Sequence, residues 1–396
     1  MPDESNPGAS AAIAEQIQPR AKSERWLETF GLRSSGVIYA LVVVLALLVV
    51  LSAMDGRPFY LRPTNFANLM EQTALLGIIA VGMALLLISG SFDLSVGSMA
   101  ALSAIVAAMV TNAFGPLAGI LAGLATGALG GLVNGLLHWI VGLNPFIVTL
   151  GTLSAYRGLA LVVSDGRTVA LTDPSNSAFL HDYLGGYFPE FNLPLALGIV
   201  MVCGAFVASR LSGQRLIGHL SLYFGIALIA VGIFADYSIR ISISSGIWLL
   251  LTTIAWIGLS FTSFGRRLRA TGADSKAARM VGVRIKYYKV VPFVIVGTLA
   301  GMAGVLLVSR LGAVDPNVFT AGELTVIAAA VVGGVSLFGG TGSVAKTACG
   351  AFLLFAINNG LNILNVSSNY QLLVAGVIIL ASASLYVLSD RRSRDI

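Results

Sequence analysis

The sequence predicts an all-α protein, a polytopic transmembrane helical bundle of about 10–12 spans. Three observations lead there. Of 396 residues, 56% are hydrophobic and only 11% are charged, whereas a soluble chain is close to a quarter charged. The apolar residues gather into uncharged runs near the length, about 20 residues, that crosses a hydrocarbon core of roughly 30 Å. No water inside a bilayer can pair with the backbone, so such runs must satisfy their own amides as helices. The 45 glycines suit the same class, because small residues let membrane helices approach closely.

The elements follow in chain order. A polar tail, residues 1–34, includes Asp3, Glu4, Arg20, Lys22 and Arg25. It is longer and more charged than the start of a cleavable leader, so the first apolar run, 37–52, is expected to stay as a span. Runs 74–89 and 94–110 come next, with no real loop between them, then 117–141 and 145–163. Within the fourth run, Gly119, Gly123, Gly127, Gly130, Gly131 and Gly135 place small residues about one turn apart. That pattern is read as tight helix packing and not as a ligand site. A polar loop, 164–190, holds Asp165, Asp173, Pro174, His181, Asp182 and Glu190. Runs 193–208, 217–234 and 247–264 precede a basic loop, and 290–308, 324–339, 344–363 and 370–388 follow it; 217–234 and 324–339 are the weakest spans. The domain reading is a cytoplasmic tail at 1–34, one transmembrane domain at 35–390 with a cytoplasmic loop at 265–289, and a cytoplasmic tail at 391–396.

Charge placement sets the expected orientation. Arginine and lysine concentrate in the N-terminal tail, at Arg210 and Arg215, in the loop 266–289, and at Arg391, Arg392 and Arg394. The alternate loops carry few, chiefly Arg57, Arg62, Arg167, Arg240 and Arg310. Positive charge marks the cytoplasmic side, and an even number of spans puts both termini there. The net charge of +6 therefore has a topological origin and does not argue for nucleic acid. Cys203 and Cys349 lie far apart inside apolar runs and suggest neither a disulfide nor a metal site.

Three stretches carry functional interest. In Gly90-Ser91-Phe92-Asp93-Leu94-Ser95 a helix breaks and an acid sits at the break. Asp93 can cap the following helix through its carboxylate, and intramembrane carboxylates are also usual in transport pathways; both readings stand. The loop Arg266-Arg267-Leu268-Arg269-Ala270-Thr271-Gly272-Ala273-Asp274 runs into Ser275-Lys276-Ala277-Ala278-Arg279-Met280, which reads as a short helix with Asp274 as N-cap and Gly282 as stop. Such a helix is either a solvated basic loop or a segment that docks into a partner's groove. The third stretch runs from Gly333-Gly334 through Gly339-Gly340 and Gly342, with Asn358, Asn359 and Asn362 beyond it. Paired glycine interruptions in two halves of a transporter point to its pathway. The asparagines suit either interhelical hydrogen bonds or sugar hydroxyls, since amides donate and accept.

Other polar residues within the runs are few: Asn134 and His138, one turn apart, and Arg157. No nucleophile–base pair or metal-ligand spacing stands out, so no active site is expected. The chain has no GxxxxGK[ST] sequence and is not expected to hydrolyse nucleotide.

These residues resemble a family. Gly90 to Ser98 is similar to the GxDLSVGS element of ABC-type sugar permeases of the ribose, galactose, arabinose and xylose group. Arg269-Ala270-Thr271-Gly272-Ala273, with Ala277-Ala278-Arg279 and Gly282-Val283, looks like that family's cytoplasmic coupling segment. Glu323 to Gly342 and Asn358-Asn359-Gly360-Leu361-Asn362 resemble its C-terminal portion, so the match is collinear over roughly 65–165 and 265–390. The resemblance implies a permease subunit in the bacterial inner membrane, paired with a second copy. It also implies a cytoplasmic ATP-binding subunit, which would hold ATP and magnesium, and a periplasmic sugar-binding protein; this chain itself would carry no cofactor and no metal. Gly272, Ala273, Asp274, Ala277, Ala278, Arg279 and Gly282 are then the ATPase-coupling candidates, and Ser91, Asp93, Ser95, Asn358, Asn359 and Asn362 the pathway candidates. The stretch from about 168 to 265 departs from ribose-type permeases and is similar to the longer xylose form, which implies D-xylose. The rival expectations are a permease for another pentose or hexose, a transporter driven by an ion gradient, and a membrane-embedded enzyme.

Overall fold

The computed structural model describes residues 32–56, 60, 62–212, 220–234 and 237–367, together with 370, 373, 376 and 377. Most of the tail 1–34, nearly all of the run 370–388 and the tail 391–396 lie outside the described residues. The long helices are α1 (Leu32–Met54), α2 (Pro63–Ile88), α3 (Val96–Phe114), α4 (Pro116–Leu136, extended by a π-turn, Leu137–Val141) and α5 (Pro145–Val163). After α6 (Pro174–Leu180) come α7 (Leu193–Ser212), α8 (Leu220–Phe234) and α9 (Ile243–Phe261). The short pair α10 (Ser263–Ala273) and α11 (Ser275–Met280) leads to α12 (Ile285–Leu311), α13 (Gly322–Val332) and α14 (Val344–Ile363). Among the described residues, eight helices are long and apolar enough to cross a membrane: α1 to α5, α9, α12 and α14.

α2 is the centre. From Leu69 to Ile88 nearly every side chain is buried, as befits a helix apolar on all sides. It begins at Pro63, not at 74, because a polar first half (Asn65, Asn68, Glu71, Gln72) is still helical. α4 and α12 run antiparallel with their backbones touching. A Cβ on Gly127 would stand 2.2 Å from the Gly297 carbonyl oxygen, and one on Gly131 2.1 Å from that of Phe293. The glycine stripe is therefore a packing seam.

Two expected elements differ. The run 324–339 is not a span. α13 has 11 residues, about 16 Å at 1.5 Å per residue, and ends in a Schellman turn at Gly334 (φ 81°), where Gly334 N–H donates to Val331 O and Val335 N–H to Ala330 O. The loop 164–190 is not plain loop: it holds α6, a second π-turn (His181–Gly185) and β1 (Val169–Ala170), which pairs with β4 (Ala313–Val314). β2 (Phe191–Asn192) pairs with β3 (Ser238–Ile239), closing the base of an α7–α8 hairpin whose helices pack chiefly on each other.

Successive spans alternate in direction, except that α14 runs parallel to α12 because residues 315–332 make the return crossing through an irregular stretch and a half-helix, so the bundle has two distinct ends. The basic end gathers the α2–α3 turn, the α4–α5 turn, α10, α11 and the start of α12. The opposite end gathers the four short strands.

Candidate functional site

At the basic end three glycine-rich segments, distant in sequence, meet backbone to backbone. α2 stops in a Schellman turn: Gly90 (φ 78°) donates to Leu87 O at 2.8 Å and Ser91 N–H to Leu86 O at 3.2 Å, the geometry glycine permits at a helix C′ position. Gly272, in the last turn of α10, lies directly on that end; a Cβ there would sit 1.9 Å from Ile88 O and 2.7 Å from Gly340 N. The glycine loop after α13 closes the junction, with Gly340 N–H donating to Ile88 O at 2.9 Å and Gly339 pressed against Gly90 Cα. Lys289 of α12 donates to Ser89 O at 2.6 Å, a cation placed where the helix dipole is negative.

One turn further on, Asp93 is wholly buried. Its Oδ1 accepts from Ser95 N–H at 2.7 Å and Ser95 O–H at 2.6 Å, and its Oδ2 accepts from Asn134 Nδ2 at 2.9 Å. Tyr156 of α5 donates to Gly130 O at 2.9 Å and lies 3.3 Å from Asn134 Oδ1. The carboxylate thus knits the α2–α3 turn to α4 and α5. Its geometry is that of a turn-capping group, with α3 starting at Val96 and not at 94. Ser91 is also buried, and its hydroxyl has no partner among the described residues.

The coupling candidates form the helix expected of them. Asp274 caps α11 by accepting from Lys276 N–H at 2.8 Å and Ala277 N–H at 3.0 Å. These two bonds favour the ionised carboxyl and hold Asp274 below the usual aspartate range. Gly282 (φ 82°) ends the segment. Ala278 is buried against the bundle, Ala273, Ala277 and Arg279 are exposed, and Met280 and Val281 stand 85% and 78% exposed.

The chain reaches α13 by a broken crossing. From β4, at the opposite end, residues 315–321 descend without regular structure, with Phe319 (φ 59°) and Ala321 (φ 60°) in the left-handed region. Arg157 of α5 donates to Pro316 O at 2.5 Å and Val318 O at 3.0 Å. Gly97, near the start of α3, leaves room for Phe319 O and the Glu323 carboxylate; a Cβ would meet them at 2.6 and 2.7 Å. Irregular backbone survives at membrane depth only where protein or a water-filled cavity covers it, and broken half-helices mark the binding region of many transporters.

The asparagines lie elsewhere. Asn359 of α14 and Asn65 of α2 exchange amide bonds of 3.0 and 3.2 Å. Asn65 also donates to Tyr60 O, and the Tyr60 hydroxyl to Ala356 O; burial pushes Tyr60 up to about 12, so it stays a donor. Asn358 is half-buried and Asn362 exposed. This cluster sits at the N-terminal end of α2 and the Asp93 cluster at its C-terminal end. The 26 residues of α2 span about 39 Å, so the two candidate sets do not form one site.

One group escaped the sequence reading. Glu71, buried within α2, pairs with Arg310 at 2.8 Å and accepts from the Tyr187 hydroxyl at 3.0 Å. Asp93 is therefore not the main buried carboxylate of the spans; Glu71 matches it.

The model of the branched-chain amino acid transport system / permease component family matches residues 65–383. The chain belongs to that permease family. Among curated relatives, the permease is 36% identical over 356 residues to the ribose import permease protein RbsC of Bacillus subtilis (strain 168), covering 90% of this chain and 91% of that one. It is 34% identical over 383 residues to the xylose transport system permease protein XylH of Escherichia coli (strain K12), covering 92% and 95%. The D-allose transport system permease protein AlsC of Escherichia coli (strain K12) is 30% identical over 350 residues, covering 88% and 90%. No solved structure matches significantly. The permease is a multi-pass membrane transport component and not an enzyme.

Proposed function

We propose that the permease is the membrane subunit of an ATP-driven importer of a monosaccharide, with the basic end cytoplasmic. The observation that carries this is the glycine junction. Gly272, two residues before the α11 cap, touches Ile88 O with no side chain between them. A push on α10–α11 therefore reaches α2, the α2–α3 turn and the loop after α13 without slack. An ATP-binding partner gripping the exposed face of α11 would supply that push by favouring one arrangement of the junction over another, which requires contacts that differ between two states.

In this reading the Asp93–Ser95–Asn134 network holds the turn and does not touch sugar. The path runs between two permease copies past the irregular segment 315–321, and Asn358 and Asn362 offer amides to sugar hydroxyls at its outer mouth. A sugar-binding protein would deliver substrate there. D-xylose is the proposed sugar, supported by the α7–α8 insertion and by the 95% coverage of the xylose permease relative; the ribose and allose relatives make other pentoses and hexoses the competing choice.

The test is uptake into proteoliposomes holding the permease, its ATPase and its binding protein. Uptake should need ATP inside, persist with an ionophore, and be competed best by D-xylose. Uptake that collapses with the ionophore and ignores ATP would make the protein a secondary transporter. Strong competition by ribose with none by xylose would move the substrate and leave the mechanism standing.

A further inference from the structure

A cavity of about 540 Å³ opens at the basic end between α10 and the start of α12. Ser263, Phe264 and Arg267 line one wall, Arg284, Tyr287 and Tyr288 the other, and residues 281–283 the floor. Neither arginine has an ion pair or a side-chain hydrogen bond among the described residues. The three rings form one cluster, with centroids 5.1 Å apart for Tyr287–Tyr288, 5.6 Å for Phe264–Tyr288 and 6.4 Å for Phe264–Tyr287.

The cavity lies where a membrane helix emerges. α9 ends at Phe261, two residues before Ser263. Along it, Leu250, Ile254, Ile257 and Phe261 are 59, 56, 46 and 66% exposed, at the helical spacing that puts them on one face. Trp256 packs edge-on against Phe261. Amphipathic rings gather at headgroup level, and basic pockets between helices at a membrane surface attract anionic headgroups. A greasy strip that runs into a cavity with two uncommitted guanidiniums matches acyl chains on one side and a phosphate on the other.

We propose that this cavity binds the headgroup of an anionic phospholipid, with Arg267 and Arg284 on its phosphate and the α9 strip against its chains. The bound headgroup tethers residues 281–283 to both α10 and α12, so it steadies the segment that follows α11. The proposal goes beyond the transport reading and does not depend on which sugar is moved. A carboxylate of a docked protein is the other anion that could fill the cavity. The observations favour lipid, because the aromatic rim and the exposed α9 strip have no role in a purely soluble contact.

Native mass spectrometry of the intact permease in mild detergent tests this, with titrations of phosphatidylglycerol and phosphatidylcholine bearing identical chains. The wild type should retain phosphatidylglycerol preferentially. The double variant Arg267→Gln/Arg284→Gln should bind it more than tenfold more weakly, since each arginine near an anionic surface contributes about a factor of five. Arg267→Lys/Arg284→Lys keeps the charge and should stay within roughly a factor of three of wild type, which separates lost binding from lost fold. Excess inorganic phosphate should not displace the lipid. Equal retention of the two lipids by wild type, or unchanged phosphatidylglycerol affinity in the glutamine variant, would overturn the proposal. Full displacement by phosphate would make the cavity a free-anion site. If the glutamine variant kept its lipid but lost its ATPase on co-purification, the arginines would belong to a protein contact.

Discussion

Gly272 has no side chain because two backbones fill the space where one would go. Ile88 O and Gly340 N lie 1.9 and 2.7 Å from its ideal Cβ, and backbone atoms cannot rotate away as a side chain can. Gly272→Val forces the junction apart, and overpacking of this kind costs about 1–3 kcal/mol. The expected outcome is a normally inserted permease whose ATP-driven uptake is at least about tenfold lower, a loss that about 1.4 kcal/mol suffices to produce. Gly258→Ala is the control, since nothing lies within 4 Å of its Cβ; uptake by that variant should be unchanged. Asp274 acts through protons. Backbone bonds hold its carboxyl below the ordinary value of about 3.9, so the cap's contribution is complete above that value and fades as pH falls through the lower folded one. Hydrogen exchange at the Lys276 and Ala277 amides should therefore be protected in wild type at neutral pH. It should be unprotected in Asp274→Ala, and protected again in Asp274→Asn, which still accepts. Equal protection in all three would show that the cap does not order α11. Of these residues, the Asp274 cap and the Gly282 stop were legible in the sequence, because helix-end signals are local. The Asp93–Asn134 bond was not, because the partners are 41 positions apart and meet only once α4 packs beside the turn. The Glu71–Arg310 pair escaped for the same reason, and because Glu71 lies in the polar half of α2.

At the scale of elements, hydropathy located the greasy segments but not their ends or their depth. Lipid demands apolarity, so α3, α4, α5, α12 and α14 were legible nearly as they stand. α13 was misread as a span because an apolar half-helix followed by a glycine loop has the composition of a full crossing. What marks the difference is the irregular stretch before it, residues 315–321, whose cover comes from another helix. Arg157 supplies that cover, one guanidinium nitrogen, Nη1, donating to the carbonyls of both Pro316 and Val318. Arg157→Ala leaves two carbonyls short of a donor, at about 1–3 kcal/mol for each that stays buried, so the half-helix should lose its register. Thermal unfolding of the purified permease should shift down and uptake should fall. Arg157→Lys should recover part of both, since an ammonium nitrogen can also donate to two carbonyls but is more strongly hydrated and sits on a flexible stem without the planar guanidinium. If alanine changed neither, the irregular segment would be held by its own backbone and Arg157 would have another purpose.

At the scale of the molecule, the bundle divides into a tightly packed body and an appended hairpin. In the body, α2 is enclosed by α9, α12, α13 and α14, and the α4–α12 seam lets no helix shift without its neighbour. The hairpin is different. Gly198 packs on Gly225 and Ile229, and Gly232 on Leu195, so α7 and α8 satisfy each other, while their outer faces expose Val200, Phe224 and Ile233. Among the described residues its regular tie to the body is the β2–β3 ladder, where Phe191 faces Ile239 and Asn192 faces Ser238. That antiparallel pair is a natural excision point, because its two strands need only a two-residue turn. Deleting residues 193–237 and joining Asn192 to Ser238 through Asn-Gly should give a permease that inserts, binds its ATPase and retains most of its uptake, because the glycine junction, the irregular segment 315–321 and the α4–α12 seam are untouched. Sugar competition in the same vesicles then addresses specificity. If the shortened permease transports but its order of preference among sugars changes, the hairpin contributes to choosing the sugar. If preference is unchanged, the choice is made in the body or by the binding protein. A deletion that neither inserts nor folds, while full-length chain made in parallel does, would refute the division itself and assign the hairpin to the core.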